Sequence, residues 1–508
     1  MEKKYYIKAG TALDFKGSDK VIYRMLEIFP GALAWVTLSG MFFMSYFAPL
    51  WAAVFIIIFD VYWLVKTVFL SFHLRANFKR MTENLKINWQ ERLSRLRYEH
   101  IWHLVILPMS KEPYEVVKDT VLAISESSLP KEKMILVLSY EEKYKERGKD
   151  IGDRVKAEFE NSFPNFFVTM HPENLEGEIP GKGSNESWAA RFIKENFIDP
   201  EKIPYEDIIV SSFDIDTRIY RQYFEVLTWN FLTAQNPTKS SYQPVPVYNN
   251  NIWATPALSR VVATSGTFWQ MMQQERPERL TTFSSHSMSF KTLVEMDFWQ
   301  KNIVSEDSRI FWNALLFYDG AYQSTPLSYP ISLDANLAPT FCGTAKNVYK
   351  QQRRWAWGVE NFPYTAFGFI KNKKIALRKK IYYLSTMVEG FWSWSTNSIL
   401  IFALGWLPLL LGGRRFNQFV LAYNLPQITR LIMMFAMMGL VTSAIISMKL
   451  LPPKPKEYGK KQTLGMLLQW VLVPVTIIFF GALPALDAQT RLMFGRYMGF
   501  WITPKERK

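Results

Sequence analysis

Hydrophobic and polar positions divide the chain into membrane-length apolar blocks at its two ends and an alternating region between them. Residues 31 to 48 and 50 to 70 are two long apolar stretches separated by Pro49. Each approaches the roughly 20 residues that a helix needs to cross a hydrocarbon core, which predicts a transmembrane hairpin. No small-residue cleavage site follows the polar N-terminal segment, so a removable signal peptide is not expected. Asp60 lies within the second stretch, where an ionisable group is either paired structurally or functional. From residue 100 to 365 short apolar runs alternate with helical patterns, among them Trp102–Pro108, Lys133–Leu138, Phe166–Met170 and Asp207–Val210. Strands separated by helices predict an α/β domain with a largely parallel sheet. Three more apolar segments follow, at about 385 to 411, 418 to 448 and 464 to 486.

The expected organisation is therefore an N-terminal segment (1–30), a transmembrane hairpin (31–70), a linker with an interfacial helix (71–99) and the α/β domain (100–365). A basic interfacial segment (366–384), C-terminal transmembrane helices (385–486) and a tail (487–508) complete it. Basic residues flank the hairpin at both ends (Lys3, Lys4, Lys8 and Arg24; Arg75, Lys79 and Arg80), while its connection is uncharged. That bias puts both ends of the hairpin and the following domain in the cytoplasm of an integral membrane protein. Counting the C-terminal segments as crossings then leaves the tail outside, although Arg491, Arg496, Lys505, Arg507 and Lys508 make it as basic as an inner loop. A missed crossing, or a re-entrant segment broken at Pro474 or Pro484, would remove the conflict.

Composition sharpens this reading. Of the 508 residues 16% are aromatic, with 18 Trp, which suits interfacial belts. Much of the +15 formal charge sits beside apolar segments, so it points to membrane flanks and not to nucleic acid. A single cysteine, Cys342, excludes an internal disulfide framework. His100 and His103 lie beside a predicted strand without further ligand residues, and packing explains them better than a metal does.

Four sequence features carry candidate chemistry. Asp214 and Asp216 follow a predicted strand, and an i, i+2 pair in an extended segment projects to one side, where two carboxylates can face one hard cation. Such pairs are also common in solvated turns. Ser305-Glu306-Asp307 opens a helical pattern, so its acids are either first-turn residues that suit the dipole or a general base for an acceptor hydroxyl. Gly181-Lys182-Gly183 lacks the spacing of a Walker loop, and is either a solvated loop or one whose Lys182 and Asn185 meet a nucleotide. Gln351-Gln352-Arg353-Arg354-Trp355 supplies an amide, guanidinium groups and an indole, suited to hydroxyls, diphosphate and a sugar face. A basic interfacial helix with a Trp anchor is the bland alternative.

The order Asp214-x-Asp216, Glu306-Asp307, Gln351-x-x-Arg354-Trp355 resembles the processive, membrane-bound family 2 glycosyltransferases, the cellulose synthase and hyaluronan synthase group. Phe500-Trp501-Ile502-Thr503-Pro504-Lys505 is similar to that family's gating loop, and the resemblance covers roughly residues 100 to 508. It implies a GT-A type, Rossmann-like cytoplasmic domain inserted between transmembrane helices. It also implies inverting transfer from a nucleoside-diphosphate sugar, with a UDP-sugar as the expected donor, using Mg²⁺ or Mn²⁺. The acceptor would be a growing polysaccharide, with translocation through the membrane helices.

Carried over, Asp214 and Asp216 hold metal and diphosphate, and Asp307 is the base with Glu306 beside it. Gln351 and Trp355 shape the acceptor site, while Lys182, Asn185, Arg354, Thr503 and Lys505 meet the donor. The family's nucleoside-binding aspartate pair is replaced by Glu141 or Glu142, and Gln352 stands where cellulose synthases often have Arg. The implied partners are the nucleotide sugar, a glycan or lipid-linked acceptor and membrane lipids, with no nucleic acid. Two other readings remain: a non-processive transferase acting on a lipid or short glycan, and an inactive membrane scaffold or transport protein.

Overall fold

The computed structural model describes residues 4–504. Its centre is an eight-stranded mixed sheet in the order β3-β2-β1-β4-β7-β6-β8-β5. The strands are β1 (Trp102–Met109), β2 (Met134–Glu141), β3 (Asn165–His171), β4 (Ile208–Ser212), β5 (Arg218–Ile219), β6 (Ser240–Tyr248), β7 (His286–Ser289) and β8 (Gln323–Leu333). β3, β2, β1 and β4 run parallel, whereas β7 pairs antiparallel with both β4 and β6. The four apolar runs read from sequence are these four parallel strands. β1, β2 and β4 are buried on both faces and show continuous apolar runs instead of alternation, whereas the edge strand β3 is only partly buried.

Eight helices position the site and its surroundings. α1 (Gly17–Phe47) and α2 (Pro49–Asn84) precede the sheet, and α3 (Lys182–Ile193), α4 (Ala257–Gln274), α5 (Glu306–Phe317) and α6 (Phe341–Ala356) belong to the sheet domain. α7 (Leu377–Ile399) and α8 (Val420–Lys449) follow it. His103 is packed in the domain core, with Nε2 2.9 Å from Thr228 Oγ1, as a packing histidine should be.

The hairpin helices are longer than their apolar stretches. α1 begins at Gly17 because Tyr23, Glu27, Pro30, Ala34, Leu38 and Met41 recur at helical spacing on one buried face. Its first turns pack on the sheet domain, with Phe29 stacked on Phe362 at 5.6 Å. α2 continues past its apolar stretch to Asn84, and Asp60 is buried within it. By length and composition four helical segments could cross a membrane: Gly17–Phe47, Pro49–Asn84, Val420–Lys449 and Lys461–Met493.

Contacts separate the last of these from the others. Near its start, Gln469 Oε1 accepts from Arg260 Nε of α4 at 2.6 Å, and Trp470 stacks on Phe268. At its end, Leu492 O accepts from Arg24 of α1 at 2.9 Å, again on the side of the sheet domain. Pro474 and Pro484 begin new helical pieces, and a π-helical turn at Ile478–Ala482 lies between them. α7 instead starts beside the domain, where Lys379 donates to Gly320 O, and the chain beyond it brings Gly412 against Pro49 at the far end of the hairpin. Both ends of the 464–486 segment, expected as a crossing, thus contact elements beside the sheet domain, while by length and composition it remains a candidate span.

Candidate active site

The acidic residues converge on one serine. Ser284 N donates to Asp307 Oδ2 at 2.9 Å, and Ser284 Oγ donates to Asp214 Oδ2. Ser284 has φ of 51°, a left-handed conformation that costs energy without a glycine. Beside it, the Phe283 ring meets Trp355 edge-on at 5.6 Å, and Trp355 lies 5.8 Å from Tyr248. One residue pair, Phe283-Ser284, therefore joins both acidic motifs to the Gln351–Trp355 helix.

Lys182 forms the cationic centre of the site. Its Nζ is 2.7 Å from Asp214 Oδ1 and 3.6 Å from Glu186 Oε1. Burial alone would lower the ammonium, but Asp214, Glu186, Glu306 and Asp307 together raise it, so it stays charged. Glu186 is fully buried and its carboxyl is pushed up to about 7, by burial first, with Lys182 pulling the other way.

Glu306 and Asp307, although adjacent, have different environments. Glu306 is buried, with its Cβ so near Gly183 that a side chain there would come to 2.8 Å. Burial, then the Asp307 charge, raises its carboxyl well above the usual range. Asp307 is half-buried at the α5 N-terminus, where its Oδ1 accepts from Ser308 N at 2.8 Å. Asp307 thus keeps a half-exposed carboxyl in the first turn of α5, whereas Glu306 is buried and its ionised form disfavoured. Behind them, Glu360 Oε1 accepts from Ser305 N at 2.8 Å and Arg309 Nε donates to Asn361 Oδ1 at 2.6 Å, which fixes the start of α5.

Three expectations are corrected. Asp216 does not stand beside Asp214 on an extended strand, because the chain turns: Thr217 N bonds to Asp214 O at 2.8 Å. Asp214 keeps 31% of its side chain exposed, whereas Asp216 is sealed, with Oδ2 accepting from Asp334 N at 2.9 Å. Asn185 does not offer its amide to a donor. Its Nδ2 donates to Ser139 O at 3.0 Å and its Oδ1 accepts from Ser139 Oγ, tying α3 to β2. Glu142 is likewise engaged, with Oε2 accepting from Glu173 N at 3.0 Å. Glu141 lies nearly buried at the carboxyl end of β2, its carboxyl raised by burial.

The tail closes the opposite side. A Cβ on Gly181 would meet Phe500 Cγ at 2.7 Å, so only glycine lets the ring lie on this loop. Arg354 sits 5.1 Å from the Phe500 ring and Lys350 5.3 Å from the Trp501 ring. Thr503 is buried, and its Oγ1 has no hydrogen-bond partner among the described residues. Lys505 lies outside the described residues. Gln351 is buried on α6, while Arg353 turns away to Asp487 at 2.9 Å. Sequence reasoning missed Ser284, Tyr248 and Glu186, because a serine run, a strand tyrosine and a helical glutamate carry no spacing signal.

No protein-family model matches the chain, and no curated protein does. Among solved structures, the chain is similar to mannosyltransferase PcManGT from Pyrobaculum calidifontis in complex with GDP-Man and Mn2+. The identity is 13% over 83% of this chain and 99% of that one, with a TM-score of 0.39. It is also similar to S. aureus TarS 1-349 in complex with UDP, at 12% identity over 79% and 94% with a TM-score of 0.36. At these scores the likeness adds nothing to the side-chain argument.

Proposed function

We propose that the protein is a membrane-integrated, inverting glycosyltransferase that moves a sugar from a nucleoside-diphosphate donor, a UDP-sugar, to the hydroxyl of a growing polysaccharide. The observation that carries this reading is the Ser284 junction, which holds a candidate base and a diphosphate-side carboxylate beside an aromatic platform. Asp307 takes the proton of the acceptor hydroxyl while that oxygen forms a bond to the anomeric carbon. The bond from that carbon to the diphosphate oxygen breaks on the opposite face, and the nucleoside diphosphate leaves with the electron pair. Lys182 and Arg354 offset its charge, and Trp355 with Tyr248 and Phe283 offers a flat apolar face to the acceptor sugar.

The residues fit a divalent cation of the Mg²⁺ or Mn²⁺ kind. Asp214, with 31% of its side chain exposed, is the accessible carboxylate of the site, its oxygens held by Lys182 and Ser284. One accessible carboxylate is compatible with a metal completed mainly by substrate phosphates. Such a cation supplies charge neutralisation at the departing diphosphate.

The basic flanks of α2 and of the 450–461 connection support a sheet domain on the cytoplasmic face. The tail lying on Gly181 supports a closing element over the donor, and chain growth follows from the resemblance of tail and Gln351–Trp355 helix to processive enzymes. Incubating purified protein with a panel of nucleotide sugars and Mg²⁺ or Mn²⁺, and measuring released nucleoside diphosphate, tests the reaction. Product length on a gel separates polymerisation from single addition. Absence of release with every donor, under conditions where the protein is folded, would leave the inactive scaffold.

A further inference from the structure

Glu360 joins the two halves of the candidate active site. It closes a 3-10 turn, Trp357–Glu360, that continues α6 without a break, so it stands just after Trp355. Its side chain is buried, and Oε2 accepts from Trp357 Nε1 at 2.9 Å within the same turn, which fixes its direction. Oε1 reaches the other segment, accepting from Val304 N at 3.1 Å, Ser305 N at 2.8 Å and Ser305 Oγ at 2.6 Å. Ser305 is the residue before α5, where a serine ordinarily accepts from an N–H of the first turn. Here its hydroxyl makes no such cap and donates to Glu360 instead. The start of α5, and Asp307 with it, is thereby tied to the stretch of chain that carries Trp355.

Neighbouring bonds stiffen this tie. Arg309, fully buried, donates to Glu360 O at 3.2 Å as well as to Asn361 Oδ1, and Asn361 Nδ2 donates to Ser308 Oγ at 2.9 Å. A closed circuit results. On one side Asp307 reaches Trp355 through Ser284 and Phe283, and on the other through Ser305 and Glu360. Held by the Ser284 bond alone, the Asp307 carboxyl could pivot; the second tie fixes its distance from a sugar lying on Trp355.

We propose that Glu360 is a positioning residue, whose carboxylate sets Asp307 against the acceptor platform of Trp355 without touching either substrate. The role rests on the reading of Asp307 as the base and goes beyond it, since it makes the acceptor helix itself the support of that base. Placement has a kinetic signature. Misplacing a catalytic group by about 1 Å can cost about 10²-fold in rate. The Lys182–Asp214 pair on the donor side makes no contact with Glu360, so donor binding is not part of the effect.

Glu360→Ala in the full chain tests this by release of nucleoside diphosphate with acceptor present. The kcat should fall about 10²-fold, with the acceptor KM and the donor Kd unchanged. In an Asp307→Asn background the same substitution should cost nothing further, because no base is left to place. Glu360→Gln keeps one acceptor oxygen and the side-chain shape; it should show a smaller loss of kcat with the same split, and decides the question if the alanine variant does not fold. Faster hydrogen exchange at the Val304 and Ser305 amides in either variant, read without turnover, checks the contact itself. An unchanged kcat in a folded variant, equal losses in kcat and substrate affinity, a full further loss in the Asp307→Asn background, or unchanged amide exchange would overturn the proposal. Full activity of Asp307→Asn alone would instead overturn the base assignment beneath it.

Discussion

Replacing Asp307 by Asn isolates the proton-accepting step. The amide oxygen can still accept from Ser284 N, now at 2.9 Å from Asp307 Oδ2, so the Ser284 junction is kept, while Ser308 N at the start of α5 loses its side-chain acceptor. What is lost is the charge and the basicity. A positioned general base contributes about 10²–10⁴ in rate, which at 1.36 kcal/mol per decade is about 3–5 kcal/mol in the barrier. Glu306 is disfavoured as a replacement, since burial and the neighbouring charge raise its carboxyl. Single-turnover release of nucleoside diphosphate in the presence of acceptor should therefore fall by about two to four orders of magnitude. Donor affinity by calorimetry should stay unchanged, because Lys182 and Asp214 remain paired. Turnover close to that of the unmodified protein would remove Asp307 from this role, and a parallel loss of donor affinity would show that the site had been distorted.

Other substitutions probe the rest of the site. Asp216→Ala should lower stability to denaturant by about 1–3 kcal/mol, as it leaves Asp334 N without its buried acceptor. Donor affinity measured on the folded fraction should change little, and a selective loss of metal-dependent donor binding would restore Asp216 as a ligand. Asp214→Ala should instead abolish Mn²⁺ binding seen by electron paramagnetic resonance with nucleoside diphosphate present; an unchanged spectrum would exclude it as a ligand. Trp355→Ala removes the ring beside Tyr248 and Phe283 and should raise the acceptor KM more than the donor Kd, equal losses counting against an acceptor platform. Glu186 gives a pH signature. Its folded carboxyl is raised from 4.5 to about 7, so its contribution to stability is complete below about 4.5 and is lost as pH rises through about 7. Glu186→Gln should flatten that part of the stability profile, and identical profiles for the two proteins would refute the assignment.

Much of the architecture was readable because its causes are local or periodic. The apolar runs that became β1 to β4 needed only the rule that buried parallel strands carry few polar residues. The apolar stretches of α1, α2 and α8 needed only length. The readings that failed assumed a local geometry which distant contacts changed. Asp214 and Asp216 would share a face on an extended strand, but the turn at Thr217 separates an exposed carboxylate from a sealed one. Asn185 has the right chemistry for a nucleotide, yet Ser139, 46 positions earlier on β2, takes both ends of its amide.

The amino-acid order by itself determined the class of the central domain, the membrane-length helices around it and the repertoire of acids, cations and aromatic rings available for chemistry. Hydrophobic periodicity and residue type act within a few positions of the chain. Which carboxylate is open, which is buried and which lysine is charged was decided only by the tertiary structure. Desolvation and charge pairing at Ser284 and Lys182 depend on residues from β4, α3, the approach to β7 and α5, which only the folded sheet brings within a few ångströms.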